Sequence, residues 1–116
     1  MKVQNYEIIE KHANLCRLMG HTGRLTIMEF ICDEEKSVGE IAKAIGASAS
    51  TTSQHLRLLR DNNVVQSRRE GQTIYYSLRY TKLIEACQLI REVILEDMLE
   101  RGRAAESMNS NIPVKK

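Results

Sequence analysis

Apolar positions recur with helical period along the first half of the chain. From Tyr6 to Met19, the spacing of Ile8, Ile9, Leu15, Cys16 and Met19 predicts a first helix. His21-Thr22-Gly23 interrupts it, with Thr22 as an available N-cap. A second helix is expected from about Arg24 to Cys32, carrying Leu25, Ile27, Met28, Phe30 and Ile31, before the charged connection Asp33–Lys36. Ser37 opens a short third helix, because Glu40 three residues later completes a capping box. Its inner face is Val38, Ile41, Ala42 and Ile45, and Gly46 ends it. Ser48 opens a fourth helix, carried to about Asp61 by Thr52, Leu56, Leu58 and Leu59. Two short helices joined by a few residues containing glycine have helix-turn-helix form.

After Asn62-Asn63 the pattern changes to strands. Val64–Arg69 is β-branched and then basic, Glu70-Gly71 marks a turn, and Gln72–Leu78 reads as a second strand. A long last helix is expected from about Thr81 to Arg101, with Leu83, Cys87, Ile90 and Ile94 as its stripe and Ile84, Val93 and Met98 widening it. The predicted fold is mainly α with a small β-hairpin: a winged helix-turn-helix of five helices and a two-stranded wing. Residues 1–102 are expected to form one DNA-binding and dimerisation domain, and 103–116, which lack periodicity, a disordered tail.

Composition narrows the function. At 42% hydrophobic and 4% aromatic over 116 residues, the chain can bury a core, and that core must be aliphatic. A net charge of +2 leaves any basic surface to local clustering. No apolar run suits a signal peptide or a bilayer span. Three cysteines, far apart and without C-x-x-C, suit reduced thiols in a cytosol, so a cytoplasmic protein without membrane contact is expected. No phosphate-binding glycine loop, nucleophile with a base in motif context or acidic metal cluster suggests an enzyme, and no cofactor is expected.

Four words occur in order. They are Met19-Gly20-His21-Thr22-Gly23-Arg24-Leu25, Ser37-Val38-Gly39-Glu40-Ile41-Ala42, Ser50-Thr51-Thr52-Ser53-Gln54-His55-Leu56-Arg57-Leu58-Leu59-Arg60 and Gly71-Gln72-Thr73-Ile74-Tyr75-Tyr76-Ser77-Leu78. With these words, the chain from roughly Ala13 to Met98 resembles the ArsR/SmtB family of small bacterial regulators. The resemblance implies a repressor that dimerises through its first and last helices, sits on double-stranded operator DNA and leaves when an inducer binds. A symmetric dimer would place two recognition helices ~34 Å apart on an inverted-repeat operator.

The residues support DNA binding on their own. Ser48, Ser50, Thr51, Thr52, Ser53, Gln54 and His55 crowd the start of the fourth helix, where a recognition helix meets base edges. They are poor helix-interior residues by propensity, and base contact would account for them. By the family pattern, Ser50, Ser53 and Gln54 fall at base-contacting positions. Arg57 and Arg60 would face phosphates or solvent, while Arg68, Arg69 and Gln72 flank the wing tip. A capped, solvated helix without a partner is the plainer alternative, as is a winged helix that binds a protein or holds DNA without an inducer.

The sensor is less legible. Where some relatives of the family type carry C-V-C, this chain has Ser37-Val38-Gly39; where others carry zinc ligands, it has Tyr80-Thr81-Lys82, with Glu96 further on. The positions of a persulfide-sensing cysteine pair hold Glu29 and Leu95, although Cys32 and Cys87 lie on the same two helices. Cys16, Cys32 and Cys87 are the candidates for a thiol switch responding to sulfur species or oxidants. His12 and Cys16, four residues apart, are the candidates for a metal or metalloid. Against both stand apolar surroundings for Cys16 and Cys87, and for Cys32 a helix C-terminus beside Asp33, Glu34 and Glu35, which should raise its pKa.

Overall fold

The computed structural model describes residues 5–109. These fall into two units that divide at Thr81 and Lys82. The first holds α1 (Tyr6–Met19), α2 (Thr22–Phe30), β1 (Lys36–Ser37), α3 (Val38–Ile45), α4 (Ala49–Asp61), β2 (Val65–Glu70) and β3 (Thr73–Leu78); the second is α5 (Lys82–Asn109).

Local chemistry sets the helix ends. The Ser37 side chain accepts from Glu40 N–H while Glu40 reaches back to Ser37 N–H, closing the expected capping box on α3. At the far end of α4 the chain turns through Asn63 in the left-handed region, φ 60°. Val64 N–H then bonds the Leu59 carbonyl (2.9 Å) and Asn63 N–H the Arg60 carbonyl (3.0 Å). These two bonds make a Schellman cap, and Val64 and Leu59 are both fully buried across it.

The core of the first unit is aliphatic, as composition requires. Ile27, Met28 and Ile31 of α2 and its end, Ile41 of α3, Thr52, Leu56 and Leu59 of α4, and Val64 and Val65 at the start of β2 are fully buried. Burying such side chains contributes roughly 1.5–3 kcal/mol each.

Several expectations shift. The N-cap of α2 is His21, not Thr22: Nδ1 of His21 accepts from Gly23 N–H at 3.0 Å. That helix ends at Phe30, earlier than Cys32. The sheet has three antiparallel strands in the order β1-β3-β2, because Lys36 and Ser37 pair with Tyr76 and Tyr75. Two residues are too few to show alternation, which is why the third strand read as a charged connection. On α1 the buried residue is Leu18, whereas Ile8, Ile9 and Cys16 are exposed in the single chain. Helix α5 runs to Asn109, so 103–109 are helical rather than tail; Arg103, Ala104 and Glu106 favour helix despite lacking an apolar period. The remaining tail positions, 110–116, lie outside the described residues.

The cap at Asn63 gives a direct stability test. Asn63→Gly is expected to leave stability within a few tenths of a kcal/mol, whereas Asn63→Val should lower it by about 1–2 kcal/mol, because a β-branched residue opposes the left-handed backbone. Urea denaturation at fixed chain concentration reads both.

Candidate nucleic-acid interface

Helix α4 has two faces of opposite character. Thr52, Leu56 and Leu59 are fully buried. Ser50, Ser53, Gln54 and Arg57 are exposed, and their spacing places them along one outward stripe. The helix start is built by its own hydroxyls. Ser48 Oγ accepts from Thr51 N–H at 3.0 Å and lies 3.1 Å from Thr51 Oγ1. Thr52 Oγ1 donates to the Ser48 carbonyl at 2.8 Å. Thr52 therefore belongs to the core, and Ser48 and Thr51 shape the end of the helix. Arg60 lies 3.9 Å from Asp61, while Arg57 has no carboxylate partner among the described residues.

His55 sits apart from the outward stripe. It is half-buried, and its Nδ1 accepts from Arg24 Nε at 3.3 Å. Its ring centroid lies 4.7 Å from that of His21. Partial burial, His21 and Arg24 all hold its pKa below the ordinary histidine value. Nothing within four residues of His55 hinted at this, because Arg24 is 31 positions away.

The wing is a hairpin of β2 and β3 with Glu70 opposite Thr73 across the two-residue loop Gly71–Gln72. Gly71 has φ +62°, the positive first position of a type II′ turn, which suits the twist of the strands. Successive residues point to opposite faces of the ribbon, so Arg68 and Arg69 diverge. Arg68 is held by two carboxylates. Its guanidinium meets both oxygens of Glu35, with Nε–Oε2 at 3.2 Å, and reaches Glu70 at 2.9 Å. It also lies over the Tyr75 ring, 4.8 Å from the centroid. Hydrogen bonds to the two carboxylates raise the Arg68 pKa further, and the bond from Arg68 lowers that of Glu35. Arg69 and Gln72 are exposed, and Arg69 has no carboxylate partner among the described residues. Sequence alone singled out Arg68 but missed Glu35, whose position 33 residues earlier carries no local signal.

The three cysteines differ in exposure. Cys16 is exposed on α1, one turn after the exposed His12. Cys32 is half-buried and its thiol donates to Asp33 Oδ1 at 3.6 Å. Partial burial first, then the Asp33 charge and that hydrogen bond, raise its pKa. Cys87 is buried on α5, in the other unit from Cys32, and none of the three is in a disulfide. Among the described residues no three His, Cys, Asp or Glu side chains come together as metal ligands, and no helix is long and apolar enough to cross a membrane.

Known proteins place this arrangement. The family described as "Bacterial regulatory protein, arsR family" matches residues 21–67, from the α2 cap to the middle of β2. The chain is 34% identical over 94 residues to the nodulation protein NolR of Rhizobium meliloti, covering 81% of this chain and 77% of that one. It is 35% identical over 79 residues to the transcriptional activator HlyU of Vibrio cholerae, covering 68% of this chain and 73% of that one. Its structure is similar to the homodimeric winged helix-turn-helix DNA-binding domain of Mb0332 from Mycobacterium bovis, a possible ArsR-family regulator, with a TM-score of 0.70 and 25% identity over 84% of this chain and 93% of that one. A recognition helix with a dry inner face and a polar outer one, followed by a wing and matched by these relatives, shows that the chain belongs to the arsR family of winged helix-turn-helix, DNA-binding transcriptional regulators.

Proposed function

We propose that the chain works as a cytoplasmic homodimer that occupies an inverted-repeat DNA operator and represses transcription until an inducer releases it. The observation that carries this is the outward stripe Ser50, Ser53, Gln54 and Arg57 on a helix whose other face is buried in the core. Ser50, Ser53 and Gln54 would meet base edges in the major groove, Gln54 being able to read adenine with both ends of its amide. Ser48 and Thr51 stand at the positive end of α4, which favours phosphate. Arg57, Arg60, Arg69 and Gln72 would hold the backbone or the adjacent minor groove, and Arg68 would do so by exchanging its carboxylates for phosphate. His55 contributes from the inner side of the helix.

Dimerisation is supported by apolar surface that a lone chain leaves in water. Ile8 and Ile9 of α1 are exposed, and on α5 so are Leu89, Ile90, Val93, Ile94 and Met98. Exposed apolar surface of this kind on each helix marks association, and the Mycobacterium bovis domain is homodimeric. Repression follows if the bound dimer simply excludes polymerase. One relative is named an activator, so a reporter must decide the sign. A sulfur species or oxidant is the inducer class that the thiols support best. Cys16 is the accessible one, while the raised pKa of Cys32 slows its thiolate chemistry.

Fluorescence anisotropy on the fragment upstream of the chain's own gene tests operator binding. Gln54→Ala should weaken binding to the preferred site by about 1–3 kcal/mol and leave the salt slope unchanged. Arg69→Ala should instead weaken all DNA alike and reduce the slope by about one unit. Binding to no DNA, with capture of a protein on the same α4 face, would replace this function by an interaction module.

The carboxylate clamp on the wing gives a second test. Glu35→Gln removes one charge holding Arg68, so DNA binding should tighten and the salt slope steepen by up to about one unit. Unchanged affinity and slope together would show that releasing Arg68 from Glu35 does nothing for DNA. For the inducer, polysulfide treatment should release DNA from the native chain and not from Cys16→Ser; release from both would move the switch to another thiol.

A further inference from the structure

Three side chains from separate parts of the first unit converge where α2 begins. Arg24 donates from Nη1 to the Leu18 carbonyl near the end of α1 (2.7 Å) and from Nε to Nδ1 of His55 on α4 (3.3 Å). His21 caps α2 through its own Nδ1, and its ring is tilted 54° against that of His55. Gly23 lets the rings approach: a Cβ there would stand 3.2 Å from the His21 ring and 3.3 Å from His55 Nε2. Glycine inside a helix costs roughly 0.5–1 kcal/mol relative to alanine, so space for the rings is what it supplies here.

Both histidine Nδ1 atoms are acceptors, so neither carries a proton there and each ring holds its proton on Nε2. A second proton on either ring turns an acceptor into a donor facing a donor. On His55 it sets a cation against the Arg24 guanidinium; on His21 it uncaps α2. The charged and titratable groups that bear on His55 among the described residues are Arg24 from α2 and His21 from the α1–α2 connection, and both oppose a positive ring.

We propose that His21, Arg24 and His55 form a proton-sensitive joint that positions the recognition helix against α2 and the end of α1, so that protonation weakens operator binding. This role presupposes the operator binding proposed above. The His55 pKa is depressed in the folded chain. The joint is therefore intact above the ordinary histidine value of about 6.5 and is lost as pH falls through the lower value that His55 has in the fold. By linkage, DNA that needs the joint lowers the histidine pKa further, and each unit of that difference weakens binding up to about tenfold on acidification. A histidine that touched phosphate directly would do the opposite, because its new charge would tighten binding.

The test compares anisotropy titrations on the upstream fragment at about pH 7.5 and about pH 5.5. The native chain should bind several-fold more weakly in acid. The double variant His21→Asn/His55→Asn keeps an acceptor oxygen near each Nδ1 and cannot titrate there; whatever its affinity at the higher pH, that affinity should not change between the two. Tighter or unchanged binding in acid overturns the joint, as does a double variant that keeps the native pH dependence. Should the variant not fold, long-range nitrogen NMR of the native imidazoles decides without it: both rings protonated on Nε2 supports the joint, and Nδ1 protonation on either overturns it. If no DNA binds at the higher pH, operator binding itself has failed, and the imidazole tautomers still settle the joint.

Discussion

The burial of one face of α4 governs the rest of the interface. Thr52, Leu56 and Leu59 lose contact with water together, which fixes the rotation of the helix about its own axis. Because that face satisfies the core, the opposite one is free to be entirely polar. Serine and threonine are weak helix formers, and it is tertiary packing with the two caps, rather than propensity, that keeps them helical. Thr52 shows how closely the two demands meet: its methyl enters an aliphatic core while its hydroxyl returns to the Ser48 carbonyl, so no polar atom is stranded.

Charge on the wing obeys a different economy. Arg68 looks in sequence like a free cation beside Arg69, yet it is matched by Glu35 and Glu70. Exposed ion pairs of this kind add little to stability. Their effect is on what the surface shows to a polyanion: a neutralised site on one face of the ribbon and an open positive charge on the other.

How much was legible follows from the range of each interaction. The helices, the Ser37 capping box and the hairpin depend on neighbours within four residues or on a simple period, and the sequence displayed them. The polar start of α4 was equally visible, with Thr52 in step with Leu56 and Leu59; Leu58, counted with them, is exposed instead, because helix phase against α2 and α3 turns it outward. Invisible altogether were the links across the fold, Arg24 to His55 and Arg68 to Glu35, since nothing near either partner marks it. The apolar period of α1 was legible as well, and Ile8 and Ile9, exposed in the single chain, are the kind of surface that was expected to pair with a second copy. Of the cysteines, Cys32 beside Asp33 and Cys87 in its apolar stripe were read correctly, whereas Cys16 is exposed in the single chain.

Ser37 occupies two structures at once. It is the last residue of β1, paired with Tyr75 of the wing, and it is also the residue whose hydroxyl starts α3. Wing and helix pair are thus fastened to each other by adjacent atoms rather than by a hinge. Anyone transplanting DNA specificity between chains of this kind would find that α4 alone, or the hairpin alone, is the wrong cassette. The smallest piece that carries its own alignment begins no later than His21, whose ring and the nearby Arg24 set α2 against α4, and ends at Leu78.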